Sequence, residues 1–387
     1  MVIKKIKGVV KNYDWGNTDF IPSLIGGYDG KPQAELWFGT HPSGPSTFED
    51  GGSLKDALEA DRSILGEKDW QRYQGKCPVL YKVLAIASQL SLQCHPTKAQ
   101  AVEGWEREAP LRAAGAPYNY QDDNSKAEIL SALTPVTALN GFRPLEESRE
   151  ALSALLPKSY PQLLEPLMGS VRDLFLGLYA LTEEQKESLL EELKESLEAS
   201  AEPDWDGEYL TRKGIAAQSL WKHPGDIGAL FPFIMNVMHL SPGEAVFLVP
   251  DTLHAYVYGN GVELMDASDN VLRGGLTAKR VDLEELKRIM SFEAGKGRKV
   301  EVVREADGLD TYKTPGTSFT LRHAGKGSYK ATGRAMRFCL VIEGNVTFTV
   351  DGMAMALEKG ECAVIPAELG EYAMEVTGSA YFAEVAE

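Results

Sequence analysis

PGEAVFLVPDTLHAYV (residues 242–257) and KGECAVIPAELGEYAM (residues 359–374) read as two copies of one unit. Each runs Gly-Glu, an apolar strand, a proline, then a short turn into the next strand. Strands of this length, separated by Gly/Pro turns, build small β-barrels of the jelly-roll type. Aligned on Pro250 and Pro366, His254 falls opposite Gly370. The first copy is therefore expected to carry chemistry and the second to be structural.

Outward from the second copy, RFCLVIEGNVTFTVDGMAMALEKGECAVIPA breaks into short strands with turns at EGN, DG and EKG. It marks residues 299–387 as a C-terminal jelly-roll domain without metal ligands. Between the first copy and the N-terminal half the character changes. LTEEQKESLLEELKESLEA places Leu189, Leu193 and Leu197 every four residues with Leu190 beside them, the stripe of an amphipathic helix. Thr182 and Gln185 have the form of a capping box, and the glutamates are expected on the solvated face. The chain thus reads as mainly β with a helical insertion: double cupin-like barrels plus an α-helical domain. Residues 1–144 are the N-terminal part of the catalytic cupin-like domain, 145–222 the helical insertion, and 223–298 the remainder of the catalytic domain. Within the first part SLKDALEADRSIL (53–65) has helical spacing.

In LSLQCHP (90–96), Gln93 and His95 are two apart, so in a strand both side chains leave the same face while Cys94 leaves the other. His254, after the turn of the ligand-bearing copy, is the third candidate ligand. Glu128, early in the strand-like end of DDNSKAEIL, is the fourth. Together Gln93, His95, Glu128 and His254 make a mononuclear site of mixed N/O donors, the set that suits zinc. His41 lies in a Pro/Gly loop, His223 precedes a proline, and His239 and His323 have no ligand-like neighbours, so none of the four is assigned a role. A second cluster, ELMDASDNVLRGGLTAKR (263–280), crowds charges around Gly274 and Gly275. Arg273 and Lys279 are its anion-binding candidates.

The 387 residues are 43% hydrophobic and 25% charged, with a formal net charge of −16. That charge excludes nucleic acid and anionic membrane as general partners, and an anionic substrate then needs a local basic grip. No apolar run approaches the ~20 residues that span a bilayer. The first ten residues do not resemble a signal peptide, and Cys77, Cys94, Cys339 and Cys362 form no CxxC pair, so a cytoplasmic protein with reduced thiols is expected. The oligomeric state is left open, a monomer being compatible.

Several blocks together resemble the type I phosphomannose isomerase family. They are NYDWG (12–16), AELWFGTHPSGPS (34–46), LYKVLAIASQLSLQCHP (80–96), NSKAEIL (124–130), ALNGFRP (138–144), GDIGALFPFIMN (225–236) and the long stretch 240–282. The resemblance covers nearly the whole chain. It implies one zinc on Gln93, His95, Glu128 and His254, Arg273 as the active-site arginine, and Ser91, Lys126, Lys279, Glu263 and Asp269 around the substrate. It implies interconversion of mannose 6-phosphate and fructose 6-phosphate through an enediol-type intermediate, with Arg273, Glu263 and Lys126 in catalytic roles. Two positions depart from the family pattern: Ser125 stands where the family has His, and Thr97 where it often has Asp. Iron-dependent oxygenases and non-catalytic sugar-phosphate sensors share the fold, and the site residues separate them from an isomerase.

Overall fold

The computed structural model describes residues 2–332 and 335–385. The catalytic half is a ten-stranded arrangement built around one long strand, His254–Asp266. Its first half pairs with Val136–Phe142 and meets Gln93; its second half pairs with Val79–Ile86 and Glu128–Ala132. The change of partner falls at Gly259. This residue has φ +110°, and a Cβ there would stand 2.3 Å from the carbonyl oxygen of Pro135. Only glycine allows the strand to turn this barrel corner.

The insertion is helical as the periodicity demands: Leu145–Leu155, Val171–Ala180, Glu183–Ala199 and Arg212–Lys222. Thr182 and Gln185 form the expected capping box, and Leu189, Leu190, Leu193 and Leu197 are buried. One glutamate departs from the solvated face. Glu192 is buried and accepts the backbone N–H groups of Lys158 and Ser159 at 2.7 and 2.8 Å. Each carboxylate bond of this kind satisfies a donor that the proline-broken segment before it would otherwise strand. The leucine stripe shares one core with Leu92, Cys94, Leu253, Ala255 and Leu272, so the insertion packs directly behind the strands of the site.

In the N-terminal half, helix Leu54–Ala60 forms where spacing predicts it and breaks at Asp61, whose side chain caps Arg62–Leu65. Helix Lys98–Arg107, in a region read as mainly strand, follows a complete Thr97/Gln100 capping box. Thr97 is its N-cap, the hydroxyl accepting the Gln100 N–H.

The C-terminal unit has two sheets around a core of Cys339, Val346, Phe348, Ala363, Ile365 and Phe382. Asn345–Val350 and Met353–Glu358 form a hairpin turning at Asp351–Gly352, both with positive φ. Within the stretch 1–144 one strand reaches across to the other unit. Strand Lys4–Lys7 pairs with Cys362–Ile365 and so belongs to the larger sheet of the C-terminal unit. The sequence interval hid this, because a four-residue strand of three lysines with one buried apolar residue, Ile6, carries little local signal of a partner. The two β units also share a core in which Tyr81, Val83, Ile129 and Leu264 pack with Phe338, Val364 and Ala383.

Candidate active site

Strand Leu92–Cys94 decides the geometry. Leu92 and Cys94 are buried in the core behind the strand, so Gln93 leaves the other face. Across the ladder Gln93 stands opposite His254 on one side and Arg273 on the other. One strand thereby brings the first and third ligand candidates and the arginine together. Glu128 opens its own strand opposite Leu248, the last residue of Ala245–Leu248.

His95, Glu128 and His254 are all buried, and one ligand atom from each lies within 4.8 Å of the others. His95 Nδ1 is 2.7 Å from the carbonyl oxygen of Asn270, and His254 Nδ1 is 2.9 Å from that of Thr252. A carbonyl only accepts, so in both rings the proton sits on Nδ1 and Nε2 offers a lone pair. Those lone pairs face Glu128: His95 Nε2 to Oε1 at 3.5 Å, His254 Nε2 to Oε2 at 3.6 Å. Burial, then the Lys126 ammonium, push the His95 pKa down to about 3, which keeps the ring neutral. Burial opposes the charge of Glu128, yet the Lys126 ammonium, 2.8 Å away, holds it well below the usual carboxylate range. His254 Nε2 has no hydrogen-bond partner. The Lys126 ammonium reaches Glu128 Oε1 and His95 Nε2 but leaves His254 Nε2 unpartnered, and two imidazole nitrogens with a carboxylate turned on one buried point are a donor set that fits a divalent metal.

The second shell is firm. Asn270, whose carbonyl orients His95, donates from Nδ2 to the backbone oxygens of Asp122 and Asn124, both at 2.9 Å, and accepts from the Gln121 N–H at 2.8 Å. Ser125 does not reach the triad; its hydroxyl donates to Asp266 at 2.9 Å.

Beside the triad a cleft of about 400 Å³ is lined by Tyr118, Asn119, Gln121, Asp269, Arg273 and Lys279, among others. Arg280 at its edge is committed to Asp282 at 2.7 Å. Arg273 and Lys279 form no ion pair among the described residues, and burial lowers the Arg273 pKa from its ordinary value. Two uncommitted cations at a cleft in a chain of charge −16 are a local anion grip.

The structure divides the remaining expected residues. Asp269 lines the cleft. Lys126 instead sits inside, against Glu128 and 3.4 Å from His95 Nε2. Glu263 is buried in an ion pair with Lys82 at 2.8 Å. Ser91 precedes the ligand strand and is not in the cleft lining.

Two residues escaped the sequence reading. Lys82 is the one cation in Val79–Ile86, every residue of which is buried. Burial works against its ammonium, but Glu263, Glu35 and Glu128 carry its pKa above the ordinary value. A lone lysine in a fully apolar strand was a signal, since such a charge needs a buried partner. His41, set aside as a loop residue, has a side chain only 9% exposed and holds the Asp269 carboxylate at 3.0 Å. Its Nδ1 accepts the Ser43 N–H at 3.2 Å, so Nε2 donates to Asp269. Its ring also meets the edge of Trp37, with ring centroids 5.0 Å apart. Nothing local in the sequence joins residues 41 and 269.

Comparison with known proteins gives this geometry a context. Residues 3–145 match the family description "Phosphomannose isomerase type I, catalytic domain". Mannose-6-phosphate isomerase of Escherichia coli K12 is 34% identical over 94% of this chain and 95% of its own length. The chain belongs to the type I phosphomannose isomerase family. The Salmonella typhimurium member is 33% identical over 99% of both chains. Its apo crystal structure superposes with a TM-score of 0.89 over 100% of both chains at 30% identity, and a form bound with zinc and yttrium does equally well. Residues 317–381 match an EutQ-like cupin domain, as the jelly-roll pattern of the second copy suggests for this family. No helix among the described residues is long and apolar enough to cross a membrane.

Proposed function

We propose that the chain interconverts mannose 6-phosphate and fructose 6-phosphate, using one zinc ion held by Gln93, His95, Glu128 and His254. The observation that carries this reading is the pairing of a buried triad of lone-pair donors with a cleft bearing two uncommitted cations. The names of its relatives and the zinc-bound Salmonella structure support the substrate and the metal.

Zinc bound there supplies Lewis-acid polarisation of the sugar oxygens at C1 and C2. The residues supply the rest. Lys279, at the outer end of the cleft, takes the phosphate. Arg273, across the ladder from Gln93, faces the charge that develops on the enediol oxygens. Asp269, fixed by His41, accepts from a sugar hydroxyl. The C2 proton of the aldose returns to C1 while a second proton passes from O2 to O1, so nothing is gained or lost overall. Lys126 and the Lys82–Glu263 pair are the groups of the chain able to carry that first proton.

The test is a coupled assay of mannose 6-phosphate turnover on protein as purified, after chelation, and after zinc is restored. Activity lost and regained with zinc is expected. A folded, zinc-loaded protein that binds mannose 6-phosphate without turning it over would instead be a sensor, and native iron with oxygen consumption would make it an oxygenase.

A further inference from the structure

Arg273 and Lys279 lie on either side of a tight corner in the chain. The corner is held from outside the cleft, by the helical insertion and the segment that follows it. Gly275 has φ +135° and Leu276 has φ +53°. A left-handed backbone is ordinary for the glycine but disfavoured for a leucine, which persists there only when its surroundings impose it. Leu276 is also buried, so it is pinned by its side chain in the core shared with the insertion.

The backbone of the corner is gripped at three points. Tyr179, in helix Val171–Ala180, donates its hydroxyl to the carbonyl of Gly274. Asp226 accepts the Leu276 N–H at 2.6 Å and the Thr277 N–H at 3.4 Å on one carboxylate oxygen. Its other oxygen accepts the Gly228 N–H at 2.8 Å, capping the turn Ile227–Phe233. The fit is close on both sides. A Cβ on Gly275 would stand 2.8 Å from the Tyr179 hydroxyl, and one on Gly228 would stand 2.8 Å from Leu276 Cγ.

We propose that Asp226, assisted by Tyr179, is a positioning residue for substrate binding: it imposes the left-handed corner at Leu276 and so sets the spacing and direction of Arg273 and Lys279 across the cleft. This gives the GDIGALFPFIMN segment, which holds no ligand and no cleft residue, a part in recognition. It also explains why the insertion packs behind these strands: it braces the anion grip without touching substrate. The proposal rests on the reading of Lys279 and Arg273 as the anion grip.

The experiment uses the full-length, zinc-loaded protein. It measures KM and kcat for mannose 6-phosphate, zinc content, and competitive inhibition by inorganic phosphate. Asp226→Ala is expected to raise KM and the phosphate inhibition constant together, on the order of tenfold, short of the ~10²-fold that a 1 Å misplacement can cost. Zinc content should stay within about twofold of the parent, since the triad is untouched, and kcat should fall less than in Arg273→Ala, because Arg273 keeps its ladder partner Gln93. Asp226→Asn keeps one acceptor oxygen and is expected to fall between the two; it also stands in if the alanine variant does not fold. Unchanged phosphate inhibition in folded Asp226→Asn and Asp226→Ala, while Lys279→Ala weakens it, overturns the positioning role and leaves the anion grip standing. Loss of zinc, or a kcat as low as that of Arg273→Ala, overturns it as well, because that marks general damage. Phosphate inhibition unmoved by both Lys279→Ala and Arg273→Ala removes the anion grip and the inference with it.

Discussion

In the catalytic barrel the strand paired with the proline-terminated strand opens on Glu128; in the C-terminal barrel it opens on Arg337. Each faces the last residue of its partner, Leu248 in one case and Ile365 in the other. Around Glu128 are the His95 and His254 imidazoles, and although Lys126 pairs with the carboxylate, His254 Nε2 is left without a partner, a position that a metal ion would fill. The charge of Arg337 is already balanced. It pairs with Glu384 at 2.6 Å, donates to the Tyr372 hydroxyl at 2.8 Å, and shares Glu384 with Arg322. Where His254 enters its strand, the second copy has Gly370 at φ +84°. The same backbone plan therefore makes a site when a buried lone pair is left unpartnered, and a scaffold when its own side chains balance its charge.

The comparison breaks first at the triad. His254→Ala is expected to lose both bound metal and turnover, by far more than the ~10–100-fold that loss of an outer hydrogen-bonding partner costs. Metal analysis beside the coupled assay checks it, and full activity would remove His254 from the site. Next comes Arg273→Ala, expected to lower kcat by about 10²–10³-fold with zinc retained, as for a lost oxyanion donor. Zinc lost along with activity would make Arg273 a structural residue instead.

The third prediction concerns the other barrel. Arg337→Met leaves Glu384 short of its nearest partner and is expected to cost about 3 kcal/mol of stability in urea unfolding, with zinc content and activity per folded molecule unchanged. A change in KM or metal content would mean that the second barrel is not merely a scaffold. The smallest effect is expected from Gly370→His. It should cost about 1–2 kcal/mol, because a side chain is forced into the left-handed region. It should add no second equivalent of zinc, since Val364, the counterpart of Leu248, pairs with Phe338 and no carboxylate stands there.

Much of this was legible beforehand because it is periodic or local. The proline-centred copies gave the two barrels, the leucine stripe with Thr182 and Gln185 gave the long helix, and the QCH spacing gave a face shared by Gln93 and His95. What stayed hidden is long-range. The pairing of His41 with Asp269 and of Lys82 with Glu263 joins residues far apart in sequence, and no local spacing encodes either. The pairing of Arg337 with Glu384 was hidden for the same reason. Lys126 shows the reverse: the resemblance set it around the substrate, and the fold commits it to Glu128.

Strand Lys4–Lys7 bears on how the molecule is made. The ion pair between Lys5 and Glu361 joins residues 356 apart in sequence, at 2.6 Å. During synthesis the strand must wait for nearly the whole chain before its central partner exists, which is contact of the slowest kind to form. Meanwhile its edge away from Thr47–Phe48 is unpaired, the sort of edge that captures other chains. Lys4, Lys5 and Lys7 make that wait tolerable: charge on a strand discourages pairing with a stranger, yet Lys5 finds a partner once Glu361 arrives. The catalytic and C-terminal halves are therefore locked late and together, and refolding from denaturant should have its slow step in joining them.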